Sequence, residues 1–192
     1  LLMVYASQET KITVAEGNGA VTGKSTGILE YLLSKPEAYG KLISDISAKL
    51  DNTTRGNEAG QFDGVVIDFE CMKGISLKQS FNVFLKALRE ALGPDKKLFV
   101  TVHPVWSKSQ AYYDAYDYRT IGELADKVIL MAHDYAPVKL EESDMARGFS
   151  VSPLSPAEEI YQALKSITDK NGGVADKNKI MLQISFNWLG WN

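Results

Sequence analysis

The stretch Phe62-Asp63-Gly64-Val65-Val66-Ile67-Asp68-Phe69-Glu70 decides the reading of this chain. An apolar run of strand-forming residues ends in two carboxylates placed two positions apart. Successive side chains on a strand point to opposite faces, so Asp68 and Glu70 share one face with Val66 a step deeper, while Ile67 and Phe69 take the other. A parallel strand covered on both faces normally reads as Val, Ile and Leu throughout. Two acids on one face at its C-terminal end are costly to bury and need a reason. Either they reach solvent or a lysine, or they interact, so that one carboxyl keeps a proton available for general acid catalysis.

Composition bounds the class. The chain has 192 residues, 45% of them hydrophobic and 23% charged, with a formal net charge of −3. That is ordinary for a globular domain with a sizeable core. No long basic run or arginine-rich helix appears, which argues against a nucleic-acid partner. No apolar run reaches membrane-spanning length, so no membrane partner is expected. The single cysteine, Cys71, excludes an intrachain disulfide and reads most simply as a small filler at a strand end. His103 and His133 lack the sequence-adjacent His/Cys partners of a typical zinc site, so no metal or cofactor is expected. Oligomeric state is not legible.

The chain alternates strand and helix. Leu1–Ala6 reads as a strand, Ser7 to about Lys35 as a polar loop with one short helix, and Pro36 to about Leu50 as a helix with Leu42, Ile43, Ile46 and Leu50 on one stripe. Asn52–Gly60 is turn chemistry ahead of the Asp68/Glu70 strand. Ser76 is expected to cap a helix carrying Leu77, Phe81, Phe84, Leu85 and Leu88, closed by Gly93-Pro94. Leu98–His103 is the next strand, Tyr118–Ala125 a short helix and Lys127–His133 a strand. Ser155-Pro156-Ala157-Glu158 reads as a capping box opening a helix to about Lys170, and Lys179–Phe186 is the last strand. This alternation argues for a parallel α/β sheet.

An open doubly wound sheet and a barrel both fit. A barrel puts its chemistry at the C-terminal ends of several strands, and Asp68, Glu70, His103, His133, Asp134 and Asn187 fall at such ends. An open nucleotide-binding sheet calls for a glycine-rich loop after the first strand. Val14-Ala15-Glu16-Gly17-Asn18-Gly19 lies too far from that strand and lacks the third glycine. The barrel is the better reading.

Three segments, in order, resemble glycoside hydrolase family 18. Asp63, Asp68 and Glu70 match the first, third and fourth acids of the Asp-x-x-Asp-x-Asp-x-Glu signature, with Phe62 and Gly64 also in place and Val66 at the second Asp. Met131-Ala132-His133-Asp134 is similar to the family's sixth-strand Met-x-Tyr-Asp, with His133 at the tyrosine. Lys179–Asn187 is similar to the seventh-strand pattern, with Asn187 at a tyrosine position. The resemblance implies a (β/α)8 TIM barrel of which about strands 3–7 are present, forming one partial catalytic domain over residues 1–192. A complete barrel takes about 250 residues. Missing strands would leave two unpaired sheet edges.

The same resemblance implies a bacterial, chitinase-like glycosidase, secreted or associated with cell wall or spore. It would cleave β-1,4 links beside N-acetylglucosamine in chitin or peptidoglycan, with retention and with the substrate's acetamido group as nucleophile. Glu70 would be the acid and then the base, and Asp68 would hold the acetamido N–H and stabilise the charge forming there. His133, Asp134, Asp63, Met131 and Asn187 would bind substrate, with Trp106 and Trp188 as sugar platforms. A chitinase-like protein that binds carbohydrate with little or no turnover is the alternative, kept open by Val66 and His133.

Overall fold

The computed structural model describes residues 1–14, 24–51, 54–55, 58–59, 62–105, 113–133, 135 and 139–191. Its centre is a five-stranded sheet: β1 (Leu2–Ser7), β2 (Gly64–Glu70), β3 (Lys97–Val102), β4 (Lys127–Met131) and β5 (Ile180–Gln183). The strands pair in sequence order and every pairing is parallel. That sequential order, with helices in the connections, is the order of a barrel arc rather than of a doubly wound sheet, whose strand order reverses. The barrel is partial.

Helices α1 (Ile28–Ser34) and α2 (Pro36–Asp51) lie between β1 and β2, and α3 (Ile75–Leu92) between β2 and β3. A short α4 (Tyr118–Leu124) precedes β4, and α5 (Glu142–Ala146) and α6 (Ala157–Ile167) precede β5. The apolar stripe of α3 buries Leu77, Phe81, Phe84, Leu85 and Leu88 against Val65, Ile67 and Phe69 of β2. The Phe69 ring stacks on Phe84 with centroids 5.5 Å apart and lies 5.9 Å from Phe81. Burying such a ring is worth about 1.5–3 kcal/mol, which helps offset the cost of two carboxylates on the opposite face of the same strand.

Gly64, the glycine of the signature, has a packing reason. A Cβ there would overlap the backbone of Lys97 on β3, whose N–H donates to the Asp63 carbonyl at 2.8 Å. Only glycine lets β2 and β3 approach so closely at their start.

Several boundaries differ from expectation. Residues 7–35 hold an antiparallel hairpin, Lys11–Val14 with Lys24–Gly27, before α1; residues 15–19 of the rejected phosphate-loop segment lie outside the described residues. Thr54–Arg55 pairs with Glu58–Ala59 inside the expected turn region. Ser76 does not cap α3: Gly74 takes that place, its N–H bound by the Asp114 carboxylate at 2.7 Å. Ser155 is not a cap either, since Pro156 is the N-cap and makes no side-chain cap hydrogen bond. The Ser155 hydroxyl instead donates to the Ala132 carbonyl at 3.1 Å and accepts from the Ser185 N–H at 3.0 Å, tying the chain beyond β4 to the chain beyond β5. β5 ends at Gln183, and Trp188–Gly190 pairs with Val151–Pro153 in a separate antiparallel ribbon.

Candidate active site

Alternation along the strands builds the site. Val65, Ile67 and Phe69 of β2, Leu98, Val100 and Val102 of β3, and Val128 and Leu130 of β4 enter the core beneath the helices. The intervening residues therefore point to the other face. From β1 these are Met3 and Tyr5, from β2 Val66, Asp68 and Glu70, from β3 Phe99 and Thr101, and from β4 Ile129 and Met131, with His103 and His133 just past their strand ends. In register, Tyr5 stands beside Asp68 and Ser7 beside Glu70.

The two carboxylates have different neighbours. The Thr101 hydroxyl donates to Asp68 Oδ1, and it also lies 3.4 Å from the Ile67 carbonyl. Glu70 Oε2 lies 3.5 Å from the Tyr5 hydroxyl. Burial first, then the negative charge of Asp68, raise the Glu70 carboxyl above its ordinary range, against a weaker lowering by Tyr5 and His133. A raised carboxyl is what a general acid needs. The Tyr5 phenol is raised in turn, mainly by the charge of Glu70.

Around this pair the chain is tightly held. It leaves β2 through Cys71, whose φ of 61° is rare for a non-glycine residue. The Tyr116 hydroxyl donates to the Phe69 carbonyl at 2.7 Å, and the Tyr118 hydroxyl donates to the His103 carbonyl at 2.7 Å. The His103 ring lies 4.5 Å from the Tyr113 ring and 5.9 Å from the Tyr116 ring. Burial and the nearby His133 lower the His103 imidazole to about 4, so it is neutral at neutral pH. Burial and a hydrogen bond with Cys71 push the Tyr113 phenol up to about 12.

Of the residues singled out from the sequence, Asp68, Glu70, His133 and Met131 gather at this end of the sheet. His133 is close enough to act electrostatically on both Glu70 and His103, and Met131 is 5% exposed at the last position of β4. Asp63 does not join them. It is exposed at the opposite end of β2, seven residue steps before Glu70, about 23 Å along the extended strand. Asn187 and Trp188 line a different, apolar cavity of about 440 Å³, with Val151, Pro153, Ile160 and Phe186. Among the described residues no hydrogen bond joins them to the carboxylates. Asp134 and Trp106 lie outside the described residues. Tyr5 and Thr101 are the partners that sequence reasoning missed. Their signal was faint: each is a polar tip in an apolar run, at a position that alternation puts on the carboxylate face.

The comparisons agree with this architecture. The family model for glycosyl hydrolases family 18 matches residues 16–192, and the chain belongs to that family. Among solved structures it is similar to the C-terminal domain of a chitinase-like protein from Desulfitobacterium hafniense DCB-2, at 26% identity and a TM-score of 0.62, over 94% of this chain and 44% of that one. It is also similar to the spore cortex-lytic enzyme SleL of Bacillus cereus, at 20% identity and a TM-score of 0.58, over 94% and 35%. A class V chitinase from Pseudomonas fluorescens Pf-5 matches at 19% identity and a TM-score of 0.61, over 85% and 48%. The latter two likenesses speak for the fold alone. The chain spans less than half the length of each of these proteins. No match was found among the curated proteins.

Proposed function

We propose that this chain carries the carboxylates of a glycoside hydrolase acting on N-acetylglucosamine-containing β-1,4 glycans, chitin or peptidoglycan. The observation that carries the reading is the placement of Asp68 and Glu70 on one face at the end of β2, where burial and the charge of Asp68 raise the Glu70 carboxyl above its usual range. Glu70 protonates the departing glycosidic oxygen and then takes a proton from the incoming water. The substrate's own acetamido oxygen attacks the anomeric carbon, giving an oxazolinium ion and retention overall. Asp68, fixed by the Thr101 hydroxyl, holds the acetamido N–H and stabilises the positive charge. His133 stands at the rim of the same cluster, where it can hydrogen-bond the acetamido oxygen.

Binding without turnover is the second reading, and Val66 favours it. That residue is apolar and 8% exposed one step below Asp68, so the deepest carboxylate of the signature is missing. One assay separates the two readings. The protein is incubated with chitooligosaccharides and with peptidoglycan, and reducing ends are counted for wild type and Glu70→Gln. Turnover lost in Glu70→Gln with glycan binding retained is the expected result. Equal activity in both overturns the assignment of Glu70, and binding with no turnover in wild type leaves the second reading.

A further inference from the structure

Glu70, Cys71 and His103 each bring a ligand atom to one place. A carboxylate oxygen, the thiol sulfur and a ring nitrogen all lie within 4.8 Å of one another, and all three side chains are half-buried. The trio is assembled by the fold, because Glu70 ends β2, Cys71 follows it and His103 follows β3, and these strands are neighbours. The imidazole packs against the Tyr113 and Tyr116 rings and its backbone carbonyl accepts from Tyr118, yet its Nε2 is enclosed with no hydrogen-bond partner among the described residues. A buried polar atom without a partner is costly, and a bound ion is one of the things that satisfies it.

We propose that Glu70, Cys71 and His103 form a binding site for a thiophilic divalent cation, Zn²⁺ above all, and that its occupancy switches the hydrolase off. The donor set is the reason for the metal. Sulfur, imidazole and one carboxylate suit Zn²⁺, whereas Mg²⁺ and Ca²⁺ take oxygen ligands. Atoms around tetrahedral zinc lie about 3.3–3.8 Å apart for bonds of about 2.0–2.3 Å, so small side-chain rotations close the present spacing. Three protein ligands leave one position for water. On binding, the thiol proton passes to solvent as the Zn–S bond forms.

The inhibitory half rests on the reading of Glu70 as the general acid. A Glu70 oxygen committed to zinc cannot carry the proton for the leaving group, and the metal's positive charge opposes protonation of the remaining oxygen. Zinc would therefore act as a reversible inhibitor, in an enzyme whose proposed chemistry uses no metal.

The test separates the two halves. The metal-free chain is titrated with Co²⁺ as a spectroscopic stand-in, then with Zn²⁺ in competition with a chromophoric chelator, with circular dichroism as a check on folding. Wild type is expected to show thiolate-to-cobalt charge-transfer absorption in the near ultraviolet. Cys71→Ser should lose that band, and zinc affinity should fall by about 100-fold in Cys71→Ser and in His103→Gln, since loss of a supporting group alone costs about 10–100-fold. No thiolate band in folded wild type, or unchanged zinc affinity in folded Cys71→Ser, overturns the site. In the second arm Zn²⁺ is expected to suppress glycan turnover by wild type, EDTA to restore it, and Cys71→Ser to resist. Wild-type turnover indifferent to saturating zinc overturns the inhibitory half. A chain that shows the cobalt band but has no turnover when metal-free supports the site and overturns only the hydrolase reading.

Discussion

Thr101 on β3 donates its hydroxyl proton to Asp68 on β2, and so supplies from the next strand a partner that Val66 cannot supply from below. Thr101 is 3% exposed, so water offers that carboxylate little alternative on this side. Thr101→Val keeps the shape and removes the donor. A hydrogen bond to a charged group is worth about 1.5–3 kcal/mol, so kcat/KM on chitooligosaccharides is expected to fall by about 10- to 100-fold. Wild-type kinetics in the folded variant would show that Asp68 needs no such support.

Substrate assistance makes its own demand on Asp68. If the acetamido group is the nucleophile, Asp68→Asn loses a charge that matters most as the oxazolinium forms. Removing one interaction of this kind costs about 10²–10³ in kcat. Glucose oligomers, which lack the 2-acetamido group, are expected to remain intact in the same assay. Their hydrolysis, or mass-spectrometric detection of a glycosyl ester on Asp68, would overturn the mechanism while leaving the fold untouched.

The fold was legible because its signals are local. Ile67 and Phe69 read as one face of a strand, and they are that face, joined by Val65 and packed on α3. The order of strand ends carrying Asp68, His103 and His133 read as a barrel arc, and the sheet is sequential and parallel. What stayed hidden depends on which strands become neighbours. Cys71 and His103 are far apart in sequence, and only the pairing of β2 with β3 brings thiol and imidazole together. Ser155 shows the opposite failure. Its local pattern is that of a helix cap, but the chains beyond β4 and β5 compete for the same hydroxyl and win it. Asp63 fits its motif perfectly by spacing, yet an extended strand carries it to the far end of the sheet.

Gly64 gives a direct probe of the β2–β3 approach. In Gly64→Ala the new methyl group would overlap the Lys97 carbonyl oxygen, a backbone atom that cannot rotate away. The strands must separate at their start, and overpacking of this kind costs about 1–3 kcal/mol. The expected result is a lower midpoint in urea with little change in m. An unchanged midpoint would mean that the strands are further apart than described.

The last expectation concerns acid. Asp126 sits at the start of β4, where its carboxylate accepts from the Leu98 N–H at 2.9 Å and pairs with Arg89 at 3.0 Å and Lys97 at 3.4 Å. Burial pushes its carboxyl up, but the Leu98 N–H and the two cations outweigh that, and the net effect is a lowering. A group whose folded pKa lies below its unfolded value near about 3.9 stabilises the fold above that pH. The contribution disappears as pH falls through the folded value, because the protonated carboxyl no longer prefers the native state. Asp126→Asn removes the charge and keeps an acceptor for Leu98. At pH 7 it should cost about 1–2 kcal/mol, a figure reduced from that of a buried charged hydrogen bond because the pair is partly exposed. Urea unfolding of both proteins from about pH 7 down to about pH 2 should show the gap closing at the acid end. A gap that stays constant over that range, or one that widens in acid, would show that the Asp126 cluster does not hold a proton-sensitive charge in the native fold.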